Sequence, residues 1–215
     1  MASRLNHDPE APDYWQRACQ ALTRLDPVWQ RLIAQHSDRA LRSRGAPYET
    51  LLRSLVGQQI SVKAADAVWG RVVKALDQRV ESTQLLALTE DVLRTTGLSR
   101  QKVLYARALS EFDQRGGLAM PTLVALDDAA CMKHLCQVKG IGPWTAQMFL
   151  MFCLRRPDVW PVDDLGVQRG ISVQFLDGQP IGPKEALQFG EKLKPWRTVA
   201  AWYLWRSLDP LVVDY

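Results

Sequence analysis

A short glycine turn at residues 138–142, Val-Lys-Gly-Ile-Gly, constrains the fold of this chain more than any other stretch. Apolar residues at helical spacing precede it, namely Ala129, Met132, Leu135 and Cys136. Asp127 or Asp128 is a suitable N-cap for that first helix. Pro143 suits the first position of a helix and opens an apolar pattern over residues 144–154. The stretch therefore predicts two helices joined by a tight hairpin.

The hairpin also indicates a binding site for an anion. Gly140 and Gly142 allow a tight bend and leave backbone amides without helical partners at the start of the second helix. Such a helix end attracts negative charge, and a phosphodiester is the natural candidate. Further along the chain, Asp163 and Asp164 place two carboxylates where the next helix should begin. A phosphate-binding turn followed by a poised acid indicates chemistry on nucleic acid, although an ordinary helix corner capped by glycine is the competing interpretation.

The rest of the chain predicts an all-α protein. Its 215 residues suffice for one domain or two small lobes, and no stretch alternates like a strand beside a hairpin turn. Amphipathic patterns separated by Pro, Gly and Asp breaks predict about ten helices joined by short loops. Residues 1–11 are polar and contain proline, so we expect them to form a loose tail.

Charge and composition limit the class of protein. A formal net charge of +4 and a pI near 9.0 are compatible with nucleic-acid binding, but Lys and Arg are scattered among acids. No apolar run is long enough to cross a bilayer, and the start of the chain lacks the apolar core of a secretory signal. The four cysteines show no disulfide framework. We expect a soluble intracellular protein.

Four segments in order resemble one family. They are VKGIGPWTA at residues 138–146, LLRSLVGQQISVKAADAVWGRV at 51–72, TGLSRQKVLYARALS at 96–110 and LKPWRTVAAWYLWR at 193–206. Together they resemble the helix-hairpin-helix DNA glycosylase superfamily, and the last segment resembles its alkylpurine branch, 3-methyladenine DNA glycosylase II. The resemblance covers most of the chain from residue 45 onward.

The resemblance implies a two-lobed, all-α helix-hairpin-helix glycosylase fold with the active-site cleft between the lobes. Residues 45–155 would form the middle lobe, with the helix-hairpin-helix at about 128–154. Residues 12–44 and 156–215 would form the other lobe. The chain is shorter than relatives with an added β-rich N-terminal domain, and Tyr14 or Trp15 could replace the pocket contact which that domain supplies.

The resemblance also implies the contacts with DNA. Amides at Gly140, Gly142 and Trp144 would bind a phosphate without reading bases, with Lys139 adding charge. Gln59 matches the wedge that fills the gap left by an extruded nucleotide, with Gln58 as its helper. The alternative for these glutamines is a solvent-facing loop. Further expected DNA contacts are Ser61, Thr145 and Lys102, although an exposed helix lysine needs no such role. Family hairpins can hold Na⁺ or K⁺ on carbonyls that match Cys136, Val138 and Ile141.

Asp164 is the expected catalytic residue. From composition, Asp163 and Asp164 are equal candidates for a helix cap, and only the resemblance selects the second. Breaking an N-glycosidic bond builds positive charge on the sugar, which a carboxylate stabilises, and the carboxylate can also orient or deprotonate water. The resemblance places the base pocket at Trp144 and Trp205, with Met148 and Trp202 as further candidates. Plain core packing is the alternative for any single tryptophan.

These residues predict a monofunctional DNA glycosylase of base excision repair. Its expected substrates are alkylated purines in double-stranded DNA, namely 3-methyladenine first, then 7-methylguanine and ethenoadenine. Related lyases carry a lysine where this chain has Trp144, so water is the expected nucleophile. No cofactor is required, and no iron–sulfur cluster is expected because no cysteine follows Cys153.

The residues leave two alternatives open. One is a glycosylase for another lesion class, because specificity depends on pocket shape. The other is a non-catalytic DNA-binding protein that keeps the hairpin while its acid only caps a helix. We expect a monomer without membrane partners, in the cytoplasm of a bacterium or the nucleus of a eukaryote.

Overall fold

The computed structural model describes residues 11–43 and 45–208, and over those residues it contains thirteen α-helices and no strand. The helices are α1 (Trp15–Leu25), α2 (Pro27–Gln35), α3 (Pro47–Gly57), α4 (Val62–Ala75), α5 (Ser82–Ala87), α6 (Glu90–Thr95), α7 (Arg100–Gln114), α8 (Met120–Ala125), α9 (Asp128–Leu135), α10 (Pro143–Phe152), α11 (Leu165–Phe175), α12 (Pro183–Glu191) and α13 (Arg197–Leu208). The all-α prediction is confirmed. The helices beyond those expected include α5, α6 and α8, whose six residues each are too few to display a helical period.

Aspartate caps fix several helix starts. Asp26 separates α1 from α2, and its Oδ1 accepts from Val28 N at 2.8 Å. Of the two candidates before α9, Asp127 is the cap, because its Oδ1 accepts from Ala130 N at 2.7 Å. Each carboxylate satisfies one of the amides that a helix start leaves without a partner.

One compact unit comprises the described residues 11–43 and 150–208. Helix α13 is its centre and packs against α1, α2 and α11. Every residue of α13 from Thr198 to Arg206 is buried, as expected for a helix with apolar residues on all sides. Arg197 fixes the start of this helix by donating from Nε and Nη2 to the two carboxylate oxygens of Asp158, at 2.7 and 2.9 Å.

The second compact unit comprises residues 45–149. Helix α7 is its centre and packs against α3, α5 and α6. Its buried face carries Val103, Ala106 and Leu109 at helical spacing. Tyr48 on α3 and Ser110 on α7 add a buried hydroxyl–hydroxyl hydrogen bond of 2.7 Å. The unit thus holds both predicted DNA-binding turns around one central helix.

The boundary between the units falls within α10, between Phe149 and Leu150. The resemblance implied a middle lobe of about residues 45–155, and these bounds stay a prediction. The predicted tail at 1–11 lies outside the described residues except for Ala11, and so do residues 209–215 of the second predicted lobe. Among the described helices, none is long and apolar enough to span a membrane.

Candidate active site

The glycine hairpin connects α9 to α10 and is closed by its own backbone. Ile141 N donates to Val138 O at 3.0 Å, and Ala146 N donates to Gly142 O at 3.0 Å. Gly140 has φ +96°, and a Cβ there would collide with the ring of Tyr105. A Cβ on Gly142 would meet nothing within 4 Å. The fold itself therefore requires glycine at 140, whereas it makes no such demand at 142.

The side chains around the hairpin divide into exposed and buried ones. Lys139 is exposed and Trp144 is 36% exposed, beside the positive end of the α10 dipole. Thr145 and Met148 are each only 3% exposed. The hairpin thus presents a lysine, an indole and a helix start. The predicted roles of Thr145 in DNA binding and of Met148 in the base pocket stay predictions, assigned to side chains that are buried.

The turn between α3 and α4 carries the predicted wedge. Gln59 is exposed and has φ +60°, in the left-handed region that non-glycine residues rarely adopt. Ile60 beside it is 40% exposed. Ser61, a predicted DNA contact, is the N-cap of α4, and its Oγ accepts from Ala64 N at 3.3 Å. The turn therefore presents the Gln59 side chain to solvent on a constrained backbone.

Gln58 links this turn to the hairpin. Its Nε2 donates to Gly140 O at 3.0 Å and to Thr145 Oγ1 at 3.3 Å. The two turns that sequence motifs predict separately are therefore joined inside one unit. Gln58 acts as an internal bridge in the structure, and a direct contact between its amide and DNA stays a prediction.

Lys102 also lies within this group. Its Nζ donates to Val56 O and Gln58 O, both at 2.7 Å, and burial holds the pKa of the ammonium below its usual value of 10.5. Both acceptors belong to the end of α3 and to the wedge turn. The structure thus gives Lys102 partners within the protein, while its predicted phosphate contact stays a prediction.

In the other unit, Asp164 is the N-cap of α11. Its Oδ1 accepts from Val167 N at 2.8 Å and from the indole Nε1 of Trp205 at 2.8 Å. The side chain is half-buried, whereas Asp163 is exposed. Gln168 holds the preceding loop by donating from Nε2 to Val162 O at 2.8 Å. The carboxylate therefore has one oxygen fixed by two donors, which gives a negative charge a defined orientation.

Gly166 makes room for this arrangement. A Cβ at 166 would lie 2.8 Å from Trp205 Cδ1 and 3.0 Å from both Asp164 Oδ1 and Trp205 Nε1. The indole is 7% exposed and stacks on Phe152, with ring centroids 6.1 Å apart and planes at 20°. Trp205, predicted only as an aromatic wall, is therefore also the hydrogen-bond donor that orients the acid.

The other predicted aromatic residues of this unit lie in a packed cluster. Trp202 is 6% exposed and meets Trp15 edge-on, with centroids 5.2 Å apart. Trp15 is itself only 5% exposed. Tyr14 stacks on Trp196 at 6.0 Å, and burial raises the pKa of its hydroxyl. Core packing accounts for Trp15 and Trp202, so their pocket roles stay predictions.

Sequence reasoning missed Gly166 and Tyr105. In both cases the sequence contains a feature that could have indicated the residue's role. A glycine in the first turn of a helix lowers helix stability relative to alanine, so its presence beside a suspected acid indicates a steric requirement. Tyr105 follows Lys102 by three residues on α7, which places the two side chains on the same face of the helix.

The described residues include no group of three or more His, Cys, Asp or Glu side chains placed to hold a metal ion. Cys131 is buried and Cys136 is exposed. In the hairpin, the Val138 carbonyl accepts from Ile141 N. A carbonyl has a second lone pair, so this bond leaves the predicted Na⁺ or K⁺ ligand set chemically feasible.

Comparisons with known proteins identify the family. Residues 52–195 match the model of the HhH-GPD superfamily base excision DNA repair proteins. The chain is 32% identical over 196 residues to DNA-3-methyladenine glycosylase 1 of Schizosaccharomyces pombe, covering 86% of this chain and 84% of that protein. It is 29% identical over 181 residues to a DNA-3-methyladenine glycosylase of Bacillus subtilis, covering 78% of this chain and 60% of that protein.

Solved structures give the same result. The S. pombe 3-methyladenine DNA glycosylase in complex with abasic DNA superposes with a TM-score of 0.81 at 29% identity, covering 93% of this chain and 98% of that one. A DNA-3-methyladenine glycosidase from Bacillus halodurans gives 0.74 at 33% identity, covering 88% and 93%. The resemblance seen in the sequence motifs is confirmed at the level of the whole fold.

Proposed function

Because the chain belongs to the HhH-GPD superfamily of base excision DNA repair proteins, we propose that it hydrolyses the N-glycosidic bond of alkylated purines in double-stranded DNA. Its first substrate is 3-methyladenine, followed by 7-methylguanine and ethenoadenine. Relatives named as 3-methyladenine glycosylases in yeast and bacteria support this substrate class. The observation that carries the proposal is the orientation of Asp164 by two donors at the start of α11.

Asp164 stabilises the reacting sugar. As the bond from the sugar to the base breaks, positive charge develops on the sugar, and a carboxylate held in place lowers the free energy of that state. Val167 N and the Trp205 indole fix one carboxylate oxygen, so the negative charge does not have to reorient during the reaction. The same group orients or deprotonates the attacking water.

Aromatic side chains favour alkylated purines over ordinary ones. Purines alkylated at N3 or N7 carry a positive charge, and an indole face attracts a cation by roughly 0.5–2 kcal/mol. Trp144, which is 36% exposed, provides such a face beside the hairpin, and Trp205 provides the aromatic contact beside Asp164. A cationic base is already a good leaving group, so the site needs no strong general acid.

The two turns of the middle unit hold the DNA. Amides at the start of α10 and the charge of Lys139 bind a backbone phosphate. Glycine at 142, which the fold does not demand, keeps a side chain away from that approach. Gln59 fills the space of the extruded nucleotide. No cofactor takes part, and a monovalent ion on the carbonyls of Cys136, Val138 and Ile141 is an added feature of the proposal.

The proposed reaction is hydrolysis without lyase activity. A lyase needs an amine that attacks the sugar to form a Schiff base, and this chain has Trp144 where related lyases carry that lysine. Lys139 lies earlier in the hairpin and binds phosphate instead. Borohydride reduction during turnover should therefore trap no covalent adduct, and a trapped adduct would contradict this part of the proposal.

Substitution of Asp164 by asparagine tests the catalytic assignment. Asparagine is an equally good N-cap and can accept from the same two donors, so only the charge is lost. We expect release of 3-methyladenine under single-turnover conditions to fall by about 100-fold or more, with affinity for an abasic-analogue duplex retained. Asp163→Asn removes the same charge from the exposed neighbour and should leave release close to that of the parent protein.

The two competing functions give different outcomes. Unchanged release by Asp164→Asn would contradict the catalytic role of this carboxylate. Release of deaminated or oxidised bases in preference to alkylated purines, measured on a panel of lesion duplexes, would identify another substrate class. Binding of abasic analogues without release of any base would identify a DNA-binding protein.

A further inference from the structure

The end of α3 is held by an ammonium group from another helix. Lys102 on α7 donates from Nζ to Val56 O and Gln58 O, both at 2.7 Å. These carbonyls lie where a helix leaves its last acceptors without partners and where its dipole is negative. Lys102 therefore caps the C-terminal end of α3, although it lies 44 positions from Gln58 in the chain.

The residue that follows this cap has an unusual backbone. Gln59 has φ +60° without being glycine, and such a conformation persists only when its surroundings hold it in place. The surroundings here are specific. Lys102 holds the Gln58 carbonyl, and the Gln58 side chain holds Gly140 O at 3.0 Å. Gln58, the residue before Gln59, is thus held at its carbonyl by Lys102 and at its side chain by the Gly140 carbonyl.

The same face of α7 also contacts the hairpin. Tyr105 lies three residues after Lys102, and its ring occupies the space that a side chain on Gly140 would need. Gln101 donates from its amide to the Tyr105 hydroxyl. One helix face therefore contacts the wedge turn through Lys102 and the hairpin through Tyr105, while Gln58 connects the two turns directly.

The environment of Lys102 differs from that of a lysine displayed for phosphate. Burial destabilises its charged form, which is the reason its pKa is lowered. A lysine that only binds phosphate gains nothing from such burial, whereas one that holds two carbonyls must lie against them. The contacts favour a role within the protein.

We propose that Lys102 is a positioning residue that presets residues 58–60, so that Gln59 enters the duplex without rearrangement of the turn. The proposal rests on the proposed function, because it assigns Lys102 a part in nucleotide extrusion. In this proposal Lys102 acts through Gln59 and does not itself contact the base or the sugar.

The test compares Lys102→Met, which keeps an apolar stem and loses the ammonium, with Lys74→Met on the exposed surface of α4. The readout is single-turnover release of 3-methyladenine from a paired duplex and from a duplex with the lesion opposite an abasic analogue, where extrusion is easier. We expect Lys102→Met to slow release from the paired duplex about tenfold, the order set by loss of a charge-assisted anchor, and to have little effect on the unpaired lesion. Lys74→Met should change neither rate. Equal losses on both substrates would overturn the proposal.

A double-substitution cycle shows whether Lys102 works through the wedge. In a Gln59→Ala background, Lys102→Met should produce no further loss, because the side chain that it positions is gone. If the two substitutions together slow base release by the product of their separate effects, the proposal is overturned. The salt dependence of DNA binding tests the alternative that Lys102 binds a phosphate. Removal of a phosphate contact lowers the slope of log K against log salt by about 1. We expect an unchanged slope, and a reduced one would identify Lys102 as a phosphate ligand instead.

Amide hydrogen exchange of the protein without DNA provides a measurement that does not depend on activity. Lys102→Met should speed exchange at residues 59–61 and leave residues far from both turns unchanged. Unchanged exchange at 59–61 would overturn the proposal even if catalysis changes. Failure of the parent protein to release any base would instead contradict the proposed function, and the exchange result would still decide whether Lys102 holds the turn.

Discussion

Gly166→Ala should displace both the candidate acid and its indole partner without changing the chemistry of either side chain. A Cβ at this position would lie 2.8 Å from Trp205 Cδ1, where ordinary contact begins at 3.4 Å, so the indole must retreat by 0.6 Å. A retreat of that size along the Trp205–Asp164 hydrogen bond would stretch it from 2.8 Å to about 3.4 Å, beyond the usual limit of about 3.2 Å. The acid then loses one of the two donors that orient it.

The size of the effect follows from that lost bond. A hydrogen bond to a charged group contributes about 1.5–3 kcal/mol, which corresponds to roughly 10- to 150-fold in rate if the whole amount is lost at the transition state. Overpacking should lower the free energy of unfolding by about 1–3 kcal/mol, partly offset by up to about 1 kcal/mol of helix propensity. We therefore expect a folded protein with slow base release.

The assay is single-turnover release of 3-methyladenine, measured well below the unfolding temperature of each variant. Gly70→Ala is the matched control, because Gly70 lies within α4 and a Cβ there would meet nothing within 4 Å. That variant should be stabilised by about 0.5–1 kcal/mol and should release base at the parent rate. A folded Gly166→Ala protein with parental activity would refute the claim that the indole orients the acid.

Two further substitutions test the fold of each unit. In urea titrations, Gly140→Ala should lower the free energy of unfolding by about 1–3 kcal/mol more than Gly116→Ala does. Both residues have positive φ, but only Gly140 faces an aromatic ring. Equal decreases in the free energy of unfolding would show that backbone strain alone matters. Burial, followed by the charges of Arg39 and Arg206, holds the pKa of His36 below its usual 6.5. As the pH falls below 6.5, His36 therefore binds its proton in the unfolded chain before it does so in the folded protein, and the free energy of unfolding decreases. His36→Gln should flatten that dependence of the free energy of unfolding on pH, and an unaltered dependence would exclude His36 as its source.

The local features of the fold could be predicted from the sequence. The glycine hairpin, the proline that starts α10 and an aspartate cap before α9 were all predicted, because caps and turns depend on residues a few positions apart. The middle lobe predicted at 45–155 stays a prediction, and the compact unit of the structure ends at Phe149. A helical period carries no information about which core each turn of α10 joins.

The interactions that organise the candidate site join distant parts of the chain. The bond between Trp205 and Asp164 spans 41 positions, and that between Gln58 and Gly140 spans 82. No local pattern encodes such pairs, so Trp205 was predicted as an aromatic surface but not as a donor. Lys102 shows the same limit, since a lysine on a helix near a predicted DNA-binding turn suggests phosphate, whereas the structure pairs it with the carbonyls of Val56 in α3 and Gln58 in the following turn.

Asp164 begins a helix as well as carrying the expected chemistry. Under the proposed function, two separate requirements act on one side chain, and loss of catalysis would remove only one of them. A descendant that no longer excised bases would still be favoured to keep Asp, Asn, Ser or Thr here, because each of these starts a helix well. Gly166 and the indole of Trp205 are not needed for the cap, so under the proposed function they distinguish the two roles better than the acid does.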